Sequence, residues 1–310
     1  DWPRMSMAER IAVMRRFRDC LAKHRNEIGQ LLQAEVGATH MLLQGPQFNG
    51  ALDALDYTMA LAAQINPTNN DVVVTPNLLD PSSAGTLGGA VTVQDPYGVV
   101  VGISAYNYPL LINMTKLAPA LVTGNTLVLK PSPLTPFSAL LLGHIADEAG
   151  IPAGVLNVLT GGADVGETLT TDSRVDLISF TGSDAVGAAI LSQSASTLKK
   201  VHLELGGKSA MIVRADADLA IAAGNAAFNF TMHAGQGCAL LTRYLVHNSI
   251  RPAFVEAVKA VLSQLKVGDP SDPHTVIGPL ISEAARAKTE RYVKAAIDEG
   301  ATLVFGGQRP

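Results

Sequence analysis

Cys238 stands in the run Gly235-Gln236-Gly237-Cys238, where the neighbouring glycines leave a thiol accessible and let backbone amides face a bound oxygen. A thiolate there could serve as a nucleophile, and a buried structural cysteine is the other reading of the same residue. Glu204 lies between two leucines in Leu203-Glu204-Leu205-Gly206-Gly207-Lys208, at the end of a strand-like run. A carboxylate so placed is not read as free surface, and alone it reads as paired with Lys208 or with a backbone donor. Asn107, in Tyr106-Asn107-Tyr108-Pro109, also follows a strand, and alone reads as a turn residue or helix cap. Glycines cluster over 161–166 and 182–187, after two further strands, without spelling GxGxxG. Such turns feed open N–H groups at a helix start, a suitable seat for pyrophosphate, although a turn also wants glycine for conformation alone. The chain contains no HExxH, CxxC, GxSxG or GxxxxGK[ST] pattern, and no metal is expected.

The elements that must hold these residues follow from periodicity. Ser6-Met7-Ala8-Glu9 fits a capping box, and Ile11, Met14, Phe17, Leu21, Ile28 and Leu31 or Leu32 follow at helical spacing, with Cys20 in the core or at its boundary. Phe48, Leu52, Leu55 and Met59 mark a second helix ending before Pro67. Val72–Val74 and Ala90–Val93 flank a loop rich in Pro, Ser and Gly, which reads as a hairpin. Strands are expected at Val99–Ile103, Thr126–Leu129, Val155–Leu159, Leu177–Phe180 and Val201–Leu205, with helices at Leu110–Val122, Thr135–Ala149, Ala163–Thr170 and Ser183–Ser196. This alternation predicts an α/β fold with a doubly wound parallel sheet, binding its ligand beyond the carboxyl ends of the strands. After Gly207 the alternation restarts, with strands at Ser209–Val213 and Thr242–Val246 and helices at Leu219–Phe230, Arg251–Gln264 and Ser282–Glu299, read as a second α/β domain. The tail Phe305-Gly306-Gly307 reads as strand and turn, Tyr292-x-Lys294 as an exposed helix face, and both chain ends as cut.

Of 310 residues, 47% are hydrophobic and 16% charged, ample for a core. The 23 basic and 27 acidic side chains give a net charge of −4, which argues against nucleic acid or an anionic membrane as partner. Two distant cysteines are no disulfide framework, so a reducing, cytoplasmic setting is expected. The longest uncharged stretch, Pro96 to Thr115, is broken by Pro109, Asn107 and Asn113 and reads as buried strand, loop and helix.

Taken together, these runs resemble the aldehyde dehydrogenase superfamily from about Trp2 to the end. The resemblance rests on Gly98-Val99-Val100 through Pro109, Lys116 to Ala120, Gly124-Asn125-Thr126 through Ser132, Phe180-Thr181-Gly182-Ser183, Leu203 to Lys208 and Gly235 to Cys238. The interval of 238 − 204 = 34 residues between Glu204 and Cys238 is also similar.

The resemblance implies oxidation of an aldehyde to a carboxylic acid with NAD(P)+, through a thiohemiacetal and an acyl thioester on Cys238. Asn107 and the cysteine N–H would hold the oxyanion, Glu204 in a partly apolar setting would activate water, and Lys116 would relay protons, unless it is simply a helix-face lysine. For the cofactor, NAD with NADP possible, Lys130 and Ser132 would meet the adenosine ribose, and Gly182 and Ser183 the pyrophosphate. Ile103, Ser104, Tyr106, Gly162, Phe180, Thr181, Val186, Leu205 and Gly206 complete the implied cofactor set. Pro133 departs from a family pattern in which glutamate holds the ribose, so a 2′-phosphate meets less repulsion. Tyr106, Phe228, Phe230, Met232 and His233 fall near the matching substrate tunnel, or are ordinary core. The implied domains are a dinucleotide-binding unit over 1–71 and 97–206, an oligomerisation hairpin over 72–96, and an incomplete catalytic domain over 207–310. A homodimer or homotetramer is expected of a longer protein whose further C-terminal part would hold the nicotinamide ribose. Alternatives are a CoA-acylating enzyme, a non-catalytic truncated relative, and a thioesterase using the same cysteine.

Overall fold

The computed structural model describes residues 2–65 and 68–309. Helices α1 (Met7–Lys23), α2 (Arg25–Val36), α3 (His40–Leu42) and α4 (Asn49–Ala62) open the chain. The capping box forms: Ser6 Oγ accepts from Glu9 N at 3.3 Å, and Glu9 Oε2 accepts from Ser6 N at 2.7 Å. The single periodic run from Ile11 to Leu32 is divided at His24, whose ring contacts Glu27 at 2.9 Å and Glu148 at 2.8 Å. Pro67, before which α4 was expected to end, lies outside the described residues, as do Asp1 and Pro310. Strands β1 (Thr68–Thr75) and β2 (Thr86–Thr92) pair antiparallel as a hairpin whose described side chains are almost all exposed.

The alternating region follows with β3 (Val99–Ile103), α5 (Pro109–Val122), β4 (Thr126–Lys130), α6 (Phe137–Glu148), β5 (Leu156–Val158), α7 (Ala163–Thr171), β6 (Leu177–Gly182), α8 (Asp184–Ser194) and β7 (Lys200–Leu205). Its five strands are all parallel, in the order β5-β4-β3-β6-β7. The central strands are buried on both faces, as helix-covered parallel strands must be. Val100 joins Leu127, Leu129 and α1–α6 in one core, and the adjacent Val101 joins Ile178, Phe180 and Ile190 in another. Trp2 Nε1 and Arg10 Nε donate to the carbonyls of Leu121 and Val122, satisfying open acceptors at the end of α5. The chain winds outward from β3 through β4 to β5, then returns to the other side of β3 with β6. The two loops at the carboxyl ends of β3 and β6 therefore part, and a crevice opens between them.

The remainder comprises β8 (Ser209–Val213), α9 (Leu219–Thr231), β9 (Leu241–Val246), α10 (Arg251–Leu262) and α11 (Glu283–Asp298). Strands β8 and β9 are parallel, with Val213, Ala222, Ala226 and Phe254 packed between strand and helix. The strand expected before Gly306 does not form, because residues 301–305 meet no ladder partner among the described residues. Segment 270–279 folds back on α2 and α3: Gln33 Nε2 donates to Pro270 O at 2.8 Å, and Pro279 packs on Gly37. Gly37 ends α2 at φ 65°, where any side chain would strike that proline.

Candidate active site

A cavity of about 1100 Å³ occupies the crevice at the carboxyl edge of the sheet. Ile103, Ser104, Tyr106 and Asn107 reach it from the loop after β3, and Lys130, Ser132 and Pro133 from the end of β4. Gly162 enters before α7, Phe180, Thr181, Gly182, Ser183 and Val186 around the start of α8, and Glu204, Leu205 and Gly206 at the end of β7. Cys238 also lines it, with Gly235, Gln236 and Gly237. Of the catalytic and cofactor residues singled out in the sequence, Lys116 alone lies behind this wall. Among the proposed tunnel residues only Tyr106 lines the cavity. Phe228, Phe230, Met232 and His233 do not, because His233 turns inward against Tyr108 and Phe230 against Tyr244.

The cysteine loop is built under strain. His233 and Ala234 adopt left-handed backbone at φ 52° and 53°, followed by Gly235 at 78°, and each non-glycine residue there costs about 1–2 kcal/mol. A side chain on Gly237 would stand 2.5 Å from Leu240 Cγ, so any larger residue there would force Leu240 or the turn to shift. Cys238 is exposed and unpaired. Asn107 is buried, and its Nδ2 donates to the Gln236 carbonyl at 2.7 Å, which ties the loop after β3 to the cysteine loop. The Asn107 carbonyl in turn accepts from Gln47 Nε2 at 2.9 Å. Behind it, burial pushes the Tyr108 hydroxyl up to about 12, with a smaller contribution from the Cys238 charge. Burial also holds His233 down at about 4, so its imidazole is neutral near pH 7.

Lys116, on α5, is buried, and its Nζ donates to Ser179 Oγ at 3.1 Å and Thr181 Oγ1 at 2.9 Å. Desolvation lowers its pKa to about 8, against the opposing influence of Glu204. The sequence placed Glu204 in a partly apolar setting, and the structure corrects this. Its side chain is 63% exposed, with His202 Nε2 3.6 Å from its carboxylate. Among the described residues β7 is an edge strand: Val201, Leu203 and Leu205 pack inward, while His202 and Glu204 alternate outward and are exposed.

At the other end of the cavity the residues suit a dinucleotide. Lys130 is buried, yet its Nζ makes one long hydrogen bond, 3.4 Å to the adjacent Pro131 carbonyl, and burial lowers its pKa. Ser183 caps α8 with Oγ accepting from Val186 N at 3.4 Å, leaving the first amides of that helix at the crevice. A side chain on Gly182 would overlap the Phe180 ring, which keeps the turn's backbone bare. Spacing did not reveal Gln193, held by Thr170 Oγ1 at 2.7 Å, nor Lys208 and Lys288, which also border the cavity. Lys288 sits on the polar helix α11, and nothing in its spacing sets it apart from Lys294 on the same helix. Among the described residues no group of three or more His, Cys, Asp or Glu side chains is placed to hold a metal, and no helix is long and apolar enough to cross a membrane.

Residues 1–310 match the model of the aldehyde dehydrogenase family. The chain is 39% identical to the mitochondrial succinate-semialdehyde dehydrogenase of Arabidopsis thaliana, covering 100% of this chain and 56% of that protein. It is 37% identical to a betaine aldehyde dehydrogenase of Cereibacter sphaeroides, covering 99% and 61%. Among solved structures, a Mycobacterium tuberculosis aldehyde dehydrogenase complexed with NAD+ superposes with a TM-score of 0.93 at 39% identity, covering 100% of this chain and 62% of that one. An NADP-dependent enzyme of E. coli does so with a TM-score of 0.91 at 34% identity, covering 99% and 62%. The chain thus spans less than two thirds of the length of each of these relatives. With its whole length matched and its fold shared, the chain belongs to the aldehyde dehydrogenase family.

Proposed function

We propose that this chain is the cofactor-binding and nucleophile-bearing part of an NAD(P)-dependent aldehyde dehydrogenase, which oxidises an aldehyde to a carboxylic acid. The observation that carries this reading is the hydrogen bond from Asn107 Nδ2 to the Gln236 carbonyl, two residues before an exposed cysteine that shares a crevice with a dinucleotide cradle. The Cys238 thiolate attacks the aldehyde carbon, and the carbonyl π electrons pass to oxygen as the C–S bond forms. Nδ2 carries two hydrogens, so one remains for that oxygen beside the Cys238 N–H. The hydride leaving this carbon would pass to the nicotinamide that a dinucleotide held by Lys130, Ser132, Gly182 and Ser183 would supply, and the acyl group stays on the Cys238 sulfur as a thioester. Glu204, open to water at the crevice edge, takes a proton from the water that then cleaves the thioester. Lys116 moves protons behind the wall, with the Thr181 hydroxyl as its link to the cavity.

Lys130 and Ser132 hold the ribose side of the cofactor, and Gly182 and Ser183 at the start of α8 hold the pyrophosphate. Ile103, Ser104, Tyr106, Gly162, Phe180, Thr181, Val186, Leu205 and Gly206 form the walls. Pro133 offers no carboxylate against a 2′-phosphate, so NADP is accepted beside NAD. The domain division at 72–96 and 207, a cytoplasmic setting and a dimer or tetramer belong to the same proposal.

The test is formation of reduced nicotinamide from NAD+ or NADP+ with a panel containing succinate semialdehyde, betaine aldehyde and an aromatic aldehyde. Turnover that disappears in Cys238→Ala supports the reading. Turnover that survives in Cys238→Ala, or an acyl-CoA product on addition of CoA, overturns it.

A further inference from the structure

The chemistry above uses the carbonyl of Gln236 but not its side chain. Its side-chain Nε2 donates to His233 O at 3.0 Å and to Pro279 O at 3.3 Å, while Oε1 accepts from Ile281 N at 2.9 Å. Its backbone N donates to His233 O at 3.0 Å, and its carbonyl holds Asn107 Nδ2. One half-buried residue therefore joins the strained turn, the segment that enters α11, and the oxyanion donor. The far side of this clasp is firm, because Pro279 is wedged on Gly37 at the end of α2.

We propose that Gln236 is a positioning residue: its side-chain amide fixes the cysteine loop so that the Cys238 thiol and the Asn107 amide converge on one carbonyl. The proposal rests on the aldehyde dehydrogenase reading. Left-handed backbone at His233 and Ala234 relaxes unless held. The clasp on Pro279 and Ile281 supplies that hold, and its loss lets the Gln236 carbonyl, with Asn107, drift from the thiol. The thiol itself keeps its exposure and its nucleophilicity. The role is thus geometric, and it belongs to reactions that build an oxyanion.

Two reactions of Cys238 separate these effects. In acylation by p-nitrophenyl acetate, the thiolate adds to the carbonyl carbon through an oxyanion and p-nitrophenolate leaves. In alkylation by iodoacetamide, the thiolate displaces iodide and no oxyanion forms. Wild type, Gln236→Glu and Gln236→Met are compared in both, with the modified cysteine located by peptide mapping and folding followed by Tm. Gln236→Glu keeps the shape but turns an oxygen toward the His233 and Pro279 carbonyls, and Gln236→Met removes both polar ends. The expected result is acylation slowed by about 10²-fold, comparable to the loss of one oxyanion donor, with alkylation within about threefold of wild type. Parallel loss of both reactions, or no change in either, overturns the proposal. Variants that acylate like a wild type active on aldehydes sink this inference alone. A wild type that neither oxidises aldehydes nor acylates faster than a free thiol sinks the proposed function as well.

Discussion

The roles proposed for Asn107 and Lys116 run through their contacts, and those contacts set what their loss should do. Asn107→Ala removes a side-chain donor that ties the loop after β3 to the cysteine loop, and under the proposed mechanism kcat/KM for aldehyde should fall by ~10²–10³, as for other single oxyanion donors. An effect below about tenfold would assign oxyanion binding to the backbone alone. Lys116 carries a signature in stability. Its ordinary value of 10.5 drops to about 8 in the folded chain. Below pH 8 the ammonium is charged in both states, and burying it costs free energy. Between pH 8 and 10.5 the unfolded chain holds a proton that the folded chain has released, so folding stability rises with pH across that window. The full effect is bounded at about 3 kcal/mol. Lys116→Met lacks this relief. Its stability relative to wild type should be greatest at pH 7 and decline steadily toward pH 10 in urea titrations, and a constant difference would contradict the depressed value. Glu204 shows where residue types mislead. Two flanking leucines suggested burial, but alternation along an edge strand sends them inward and the carboxylate outward.

Alternating apolar and turn residues were enough to place all five strands of the parallel sheet within a few residues, because doubly buried strands and glycine-ended helices leave strong marks. The connections that hold the elements in place were less legible, since their partners are distant in sequence. Helix α6 follows Pro136, which offers no side-chain cap, and the periodicity is silent on what replaces it. The cap is Glu35 of α2, whose carboxylate accepts from Phe137 N and from Ser138 N at 3.1 Å across more than 100 residues. Glu35→Ala should cost about 1 kcal/mol of unfolding free energy, the usual scale for a lost N-terminal cap, read from chemical denaturation. A change near zero would mean that water serves those amides equally well. The break at His24 is of the same kind. Helical spacing runs through it, and the ring between Glu27 and Glu148 raises its pKa, chiefly through Glu148. That contribution to stability is full below the ordinary pKa and fades as pH rises through the raised one. The deficit of His24→Ala should therefore be larger at pH 6 than at pH 9, and only modest because the pair is partly solvated.

At the scale of the molecule, the crevice was legible as a place before any of its contacts were, since a sheet that winds both ways from β3 must open at the carboxyl ends of β3 and β6. The surfaces that would meet other molecules were less so, because exposure is a property of the folded whole. The hairpin is the clearest case. Val74 and Leu87 are cross-strand partners at 55% and 73% exposure, with Val73 and Val91 also open to solvent. Apolar side chains on a two-stranded ribbon, with no further strand paired to either edge among the described residues, form a surface suited to further strand or face pairing. If self-association runs through this face, wild type should scatter light as a dimer or larger species. Val74→Lys with Leu87→Lys should then shift it to the monomer mass, because two lysines directly opposite on one face repel any stacked copy. Neither residue borders the crevice, so acylation of Cys238 by p-nitrophenyl acetate should persist in the monomer. An unchanged mass in the double variant would remove the hairpin from the interface, and a coincident loss of acylation would show that the crevice depends on a neighbouring subunit.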